Sequence, residues 1–165
     1  MCYNHPMKQT HNLKPIYNQD SRVLILGSFP SVISREHQFY YHNPQNRFWK
    51  IINNIFDENV QTIPDKTNLC LTHHIALWDV IESCEIKGSS DASISNVKVN
   101  DIASLLSQTS IDTIITNGST AHKYYQKYLY PVLNLQDIPL PSTSSANARY
   151  KLEDLIKLYK PYIKE

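Results

Sequence analysis

The sequence predicts an α/β fold, a doubly wound sandwich with helices on both faces of a sheet, and three observations predict it. Short, continuous apolar runs recur along the 165 residues, glycine or proline punctuates them, and stripes of helical period lie between them.

Val23, Leu24, Ile25 and Leu26 are the clearest run, closed by Gly27 and Pro30, and read as a strand buried on both faces of a parallel sheet. In such sheets ligands bind beyond the carboxyl ends of the strands, so the loop after Leu26 is a candidate site. Phe48, Ile51, Ile52, Ile55 and Phe56 then recur at one face of a helix. Asn43 followed by Pro44 reads as its N-cap and first residue, which puts Asn46 in the first turn. Residues 71–97 are the least defined, because Trp78-Asp79-Val80-Ile81 suits either a helix end or a short strand. Beyond them the pattern predicts a short helix after Asp101 (Ile102, Leu105, Leu106), a strand over 111–116 stopped by Asn117-Gly118, and a helix over 121–130. A last strand is expected within 132–140. Leu152, Leu155, Ile156 and Tyr159 trace a C-terminal helix, with Lys151, Lys157 and Lys160 mostly off that stripe.

A chain of this length, 41% apolar, is the size of one domain over 1–165, with residues 1–20 as an N-terminal extension packed on or near it. Sixteen Lys and Arg against 15 Asp and Glu leave no global field to hold a polyanion, so any nucleic-acid contact must be local. Cys2, Cys70 and Cys84 form neither the CxxC pairs of a zinc site nor the four thiolates of an iron–sulfur cluster. No metal and no cofactor is expected, and the cysteines read as reduced thiols. The first 20 residues lack a signal-peptide core, and no apolar run approaches the roughly 18 residues of a membrane span. A cytoplasmic, monomeric protein without a membrane partner is the expectation.

Phe39, Tyr40 and Tyr41 lie between the Gly27 loop and Asn43, where a ring can stack on a planar heterocycle or simply join the core. The Asn46 amide both donates and accepts, which suits holding a leaving group or a water, although solvated helix asparagines are commoner. Pro141, Ser142, Thr143, Ser144 and Ser145 put four hydroxyls ahead of a helix start, a phosphate cradle or an ordinary helix cap, with Arg149 and Lys151 favouring an anion. His73-His74 lacks a third ligand at metal spacing and reads as two loop histidines. Asp79 suits hydrogen bonding to a base edge or bracing of a loop. No GxSxG elbow or GxxxxGK[ST] loop is present, which counts against a serine hydrolase or a P-loop enzyme.

Four ordered segments carry a resemblance. They are Val23-Leu24-Ile25-Leu26-Gly27-Ser28-Phe29-Pro30-Ser31, Phe39-Tyr40-Tyr41-His42-Asn43-Pro44-Gln45-Asn46-Arg47-Phe48-Trp49, Ala76-Leu77-Trp78-Asp79-Val80-Ile81, and Leu140-Pro141-Ser142-Thr143-Ser144-Ser145-Ala146-Asn147. Together they resemble the uracil-DNA glycosylase superfamily, and within it the hypoxanthine-DNA glycosylase (deoxyinosine glycosylase) branch, over nearly the full chain. The resemblance implies a single-domain, three-layer α/β/α sandwich around a four-stranded, largely parallel sheet, its first and last motifs facing each other across a DNA cleft. Gly27, Ser28, Phe29, Pro30, Tyr40, Tyr41, Asn43 and Asp79 would then form the base pocket. Phe29 stands where uracil-excising relatives place a water-activating Asp or Asn. Asn46 matches the branch's candidate catalytic asparagine, and Tyr41 matches an aromatic that stacks on the extruded base. Pro141, Ser142, Thr143, Ser144, Ser145 and Asn147 match the loop that grips phosphates, with Asn147 or a neighbour as the wedge. Two positions depart from the pattern: Asn43 stands where relatives often have His, and Ser145 where the branch usually has Pro.

What the resemblance implies is a monofunctional enzyme that flips a deaminated base, hypoxanthine foremost, out of single- or double-stranded DNA and hydrolyses its glycosidic bond to leave an abasic site. Excision of uracil or mispaired thymine by the same fold, a non-catalytic lesion-binding module and a nucleoside hydrolase are the alternatives.

Overall fold

The structure is a computed structural model describing residues 7–10, 13–86 and 93–164; Cys2 and part of the N-terminal extension lie outside these residues. In chain order the strands are β1 (Met7–Thr10), β2 (Val23–Gly27), β3 (Ile75–Asp79), β4 (Ile81–Ile86), β5 (Ser95–Val99), β6 (Thr113–Asn117) and β7 (Ile138–Leu140). The helices are α1 (Val32–His37), α2 (Phe48–Phe56), α3 (Ile63–Thr72), α4 (Ile102–Ser107), α5 (Ser119–Tyr124), α6 (Tyr130–Leu133) and α7 (Leu152–Ile163).

The period-two alternation of a strand decides the layering. Val23 and Ile25 of β2 join Ile75, Leu77 and Ile115 on one face, where α2 and α7 bring Ile51, Ile52, Ile55, Leu155 and Tyr159. Leu24 and Leu26 join Ala76 and Ile114 on the other, covered by Ile102 and Leu105 of α4 and by Tyr124 and Tyr125. The sheet runs β3-β2-β6-β7 with every neighbouring pair parallel. This is the expected three-layer α/β/α sandwich with a four-stranded sheet, and β2 and β6 are its central strands.

Within the segment 71–97, of which residues 87–92 lie outside the described residues, the chain forms β3 and β4, joined at Val80, and enters β5. At Val80 the chain leaves the parallel sheet for a second, antiparallel sheet, β1-β4-β5, which the sequence pattern did not predict. The N-terminal extension is tied down through that sheet, through Leu13 in the core and through the Ile16–Leu77 bridge. Two element assignments are corrected. The strand expected within 132–140 shrinks to Ile138–Leu140, because Val132 and Leu133 belong to α6, which ends at the left-handed Asn134. The helix expected over 121–130 starts at Ser119, then widens into a π-helix over Tyr125–Leu129 just before Pro131, whose ring nitrogen cannot donate to a helical ladder. Among the described residues no helix is long and apolar enough to cross a membrane, and no group of three His, Cys, Asp or Glu could hold a metal ion. His73 stacks on Phe56 at 3.8 Å between ring centroids.

Candidate active site

The carboxyl ends of β2, β3 and β6 open into a cavity of about 1220 Å³, lined among others by Gly27, Tyr41, Asn46, Asp79, Asn117 and Thr143. Its floor is set by β2–β3 pairing, which places Gly27 opposite Asp79. A Cβ on Gly27 would sit 2.5 Å from Asp79 Oδ1, so the absence of a side chain is what lets the carboxyl in. The Gly27 and Ser28 carbonyls accept from the N–H groups of Val80 and Ile81, fixing the loop after β2 to the β3–β4 junction. Asn100 donates to the Asp79 carbonyl at 2.8 Å and holds that junction from the other side.

Two polar atoms on this floor are buried without a hydrogen-bond partner, Asp79 Oδ2 and the Tyr41 hydroxyl. Burial pushes the Asp79 carboxyl up to about 7. The Tyr41 hydroxyl is also raised, by burial first and by Asp79 second; Asn117 opposes the rise without making a hydrogen bond of ordinary geometry. The Tyr41 ring lies on Phe48, 4.1 Å between centroids, and its backbone is left-handed at φ 53°. Such a conformation costs ~1–3 kcal/mol and persists where the surroundings enforce it.

Asn46 stands on the wall opposite. Its Oδ1 accepts from the Phe48 N–H at 2.9 Å and from the Thr143 hydroxyl at 2.8 Å. Two donors converge on one atom, which fixes that atom as the oxygen and leaves the NH2 as the unspent end. Thr143 is held in turn by Asn117, whose amide donates to the hydroxyl at 3.1 Å and accepts from the Thr143 N–H at 3.0 Å. The Tyr159 hydroxyl donates to the Pro141 carbonyl at 2.7 Å and lies 3.2 Å from Asn117 Oδ1, linking α7 to the same wall. A preorganised pair of amide hydrogens, a backed aromatic ring and a carboxyl with one unpaired oxygen thus share one cavity.

Residues 14–164 match the family model described as the uracil DNA glycosylase superfamily. The chain belongs to that superfamily. It is therefore a DNA glycosylase, a hydrolase of N-glycosidic bonds. It is similar to proteins named hypoxanthine DNA glycosylase from Methanosarcina acetivorans (33% identity over 82% of this chain and 86% of that protein) and Methanosarcina barkeri (30%, with the same shares). It is also similar to a solution NMR structure from Methanosarcina acetivorans described as a candidate uracil DNA glycosylase, at TM-score 0.78 and 28% identity, covering 94% of this chain and 98% of that one.

In this glycosylase the other predicted site residues divide. Ser28, Pro30 and Asn43 line the cavity with Gly27. Phe29 also lines it, with the Arg35 guanidinium 5.1 Å from its ring centroid, and it brings no polar atom to activate water. Tyr40 lines the cavity too, but as part of the core: its ring is buried and its hydroxyl donates to the Lys14 carbonyl at 2.9 Å. Asn43 does not cap α2. Its side chain accepts from the Gln45 N–H and its carbonyl from the Asn46 N–H, a turn that ends before the helix starts at Phe48. The oxygen of Asn46 meets the first turn of the helix instead.

The loop over 141–150 is also corrected. Its hydroxyl run, Ser142 to Ser145, does not abut a helix start, since α7 begins only at Leu152. Thr143 is buried and faces Asn46 rather than solvent. Ser142 and Ser144 hydroxyls accept backbone N–H groups within the loop, and the Asn147 amide donates inward to the Ser142 carbonyl. Ser145, Ala146, Ala148 and Arg149 are the exposed residues of its tip, and Asn147 is half-buried. Sequence reasoning missed the residue that shapes this loop. The Arg47 guanidinium donates to the carbonyls of Thr143, Tyr150, Ser144 and Asn147, with no carboxylate partner among the described residues. A half-buried arginine opening an apolar helix was the available signal.

Proposed function

We propose that this glycosylase excises hypoxanthine from DNA, with Asn46 as the catalytic group. The observation that carries the reading is the orientation of Asn46: its oxygen is engaged by Phe48 and Thr143, so it meets substrate as a hydrogen-bond donor. A donor serves the leaving base. As the bond from N9 to C1′ breaks, its electron pair moves onto the purine, and an NH2 aimed at that charge stabilises the transition state without reorganising. The sugar becomes oxocarbenium-like, water adds its oxygen to C1′ and loses a proton, and the base is protonated and released. Phe29 agrees with this division of labour, since no group at that place competes to activate the water.

Recognition follows from the floor. Hypoxanthine presents N1–H beside the O6 acceptor, whereas adenine presents a lone pair beside an amino donor. When ionised, the Asp79 carboxylate accepts from N1–H of hypoxanthine and meets a lone pair at N1 of adenine held in the same pose, and Tyr41 offers the surface on which the flipped ring stacks. The two relatives named hypoxanthine DNA glycosylase support the same substrate. Uracil shares the N–H and carbonyl order of hypoxanthine at its N3 and O4, and that is the second reading this floor favours.

Single-turnover assays on oligonucleotides carrying hypoxanthine, uracil, xanthine or thymine opposite guanine, with alkali revealing abasic sites, decide between them. Hypoxanthine is expected to be removed fastest. Retention of lesion DNA with no alkali-sensitive site would reduce the protein to a binding module, and cleavage of free deoxyinosine would make it a nucleoside hydrolase.

A further inference from the structure

On the cavity wall beyond Gly118, His122 of α5 places its Nδ1 2.7 Å from Oδ2 of Asp137. Asp137 is buried, and its other partners are neutral: the Thr116 hydroxyl at 2.6 Å, Gln126 at 2.7 Å and Gln136 at 2.9 Å. Among the described residues His122 is thus the basic partner of a buried carboxylate. Because a carboxylate only accepts, Nδ1 carries the hydrogen and Nε2 is the working edge. The imidazole remains about a third exposed, at 36%.

Two other cations near the cavity, Arg35 and Arg47, are turned toward protein groups, although Arg35 Nε is buried without a partner. Arg35 donates to Gln9 and covers Phe29, and Arg47 is engaged with loop carbonyls. Arg149 on the exposed loop and His122 also line the cavity. With a net charge of only +1, the phosphates of a duplex must be held at such single points.

We propose that His122, oriented by Asp137, is a DNA-phosphate contact, its imidazolium bridging the buried carboxylate and one backbone phosphate beside the flipped nucleotide. The inference rests on the base-excising reading above and adds a second grip besides the 141–150 loop.

The test is the salt dependence of binding at pH 6.5 to a duplex carrying a non-hydrolysable 2′-fluoro-deoxyinosine, by fluorescence anisotropy. His122→Gln is expected to lower the slope of log K against log[KCl] by about 1, and to weaken lesion and undamaged duplexes alike at low salt. His122→Arg, which keeps a charge and a donor toward Asp137, is expected to retain the wild-type slope. The defect of His122→Gln should appear in Kd and KM rather than in kcat. An unchanged slope in folded His122→Gln, or a slope lost equally in His122→Arg, overturns the proposal. Excision of deoxyinosine by the wild-type protein, run in parallel, separates the two readings: active wild type with an unchanged His122→Gln slope removes only the phosphate contact.

Discussion

The floor and the wall of the cavity are built on opposite principles. On the floor, Asp79 Oδ2 and the Tyr41 hydroxyl are buried with no partner. On the wall, Asn46, Thr143, Asn117 and Tyr159 form a chain in which each of the four side chains has a hydrogen-bond partner. Buried polar groups are nearly always paired, and one left unpaired costs ~1–3 kcal/mol. The difference teaches that the wall is finished machinery, whereas the floor is completed by something that enters. An N–H donor, which the proposed substrate's base edge would bring, is the complement Asp79 Oδ2 lacks.

The largest effect expected is at Asn46, where the proposed mechanism has the wall meet the substrate. Asn46→Ala should lose ~10²–10³ in single-turnover excision rate. Asn46→Asp sharpens the point, because it keeps the oxygen that Phe48 and Thr143 address but has no NH2. It should fold with near-wild-type Tm and be equally impaired, and an active Asn46→Asp would place catalysis on the acceptor side and break the comparison.

Asp79→Asn tests the floor with the opposite sign. The folded-state carboxyl titrates at about 7 against an ordinary 3.8, so the folded protein binds more protons than the unfolded chain between those values and stability falls as pH rises through them. Removing the charge should therefore stabilise by ~2–4 kcal/mol at pH 8 and by little at pH 4. Discrimination of hypoxanthine from adenine should weaken in the same variant. Thermal melts at the two pH values read the first effect, and a pH-independent Tm gain would refute the assignment of an unpaired carboxylate.

Arg47→Lys asks how much of the wall depends on one planar fork. Lysine cannot address several carbonyls at once, and a loss of ~1.5–3 kcal/mol is expected. Faster proteolysis within 141–150 would locate the loss. Thr143→Val is the mildest, at ~1 kcal/mol and a severalfold drop in kcat with KM little changed. Unaltered kcat would show that Asn46 needs no support from the loop.

Apolar patterning made the central sheet legible, because β2, β6 and the α2 stripe are buried on the faces that periodicity marks. The second sheet was invisible for the same reason. Its strands β1 and β5 are largely exposed, with Lys8, Gln9, Ser95, Asn96 and Lys98 giving no alternation of apolar residues to read. The start of α2 was misplaced because Asn43 satisfies a turn and the oxygen of Asn46 does the work at the helix end, two chemistries that look alike in sequence. Gly27, Tyr41, Asn46 and Asp79 were named from the chain and do share the cavity. Arg47, Asn117 and the His122–Asp137 pair were not, since their partners lie 15 to 103 residues away and no local spacing encodes them.

The 2.5 Å gap between a hypothetical Cβ at position 27 and Asp79 Oδ1 also constrains how this enzyme can drift. The two positions cannot change in either order. Any side chain at 27 meets the carboxyl, so Gly27→Ala alone should be disabling, whereas the same change after Asp79 has been shortened to Ala finds its space already cleared. A lineage that trades its base specificity through the floor must therefore alter Asp79 first and Gly27 second, and a fitness map of the four combinations would be strongly epistatic.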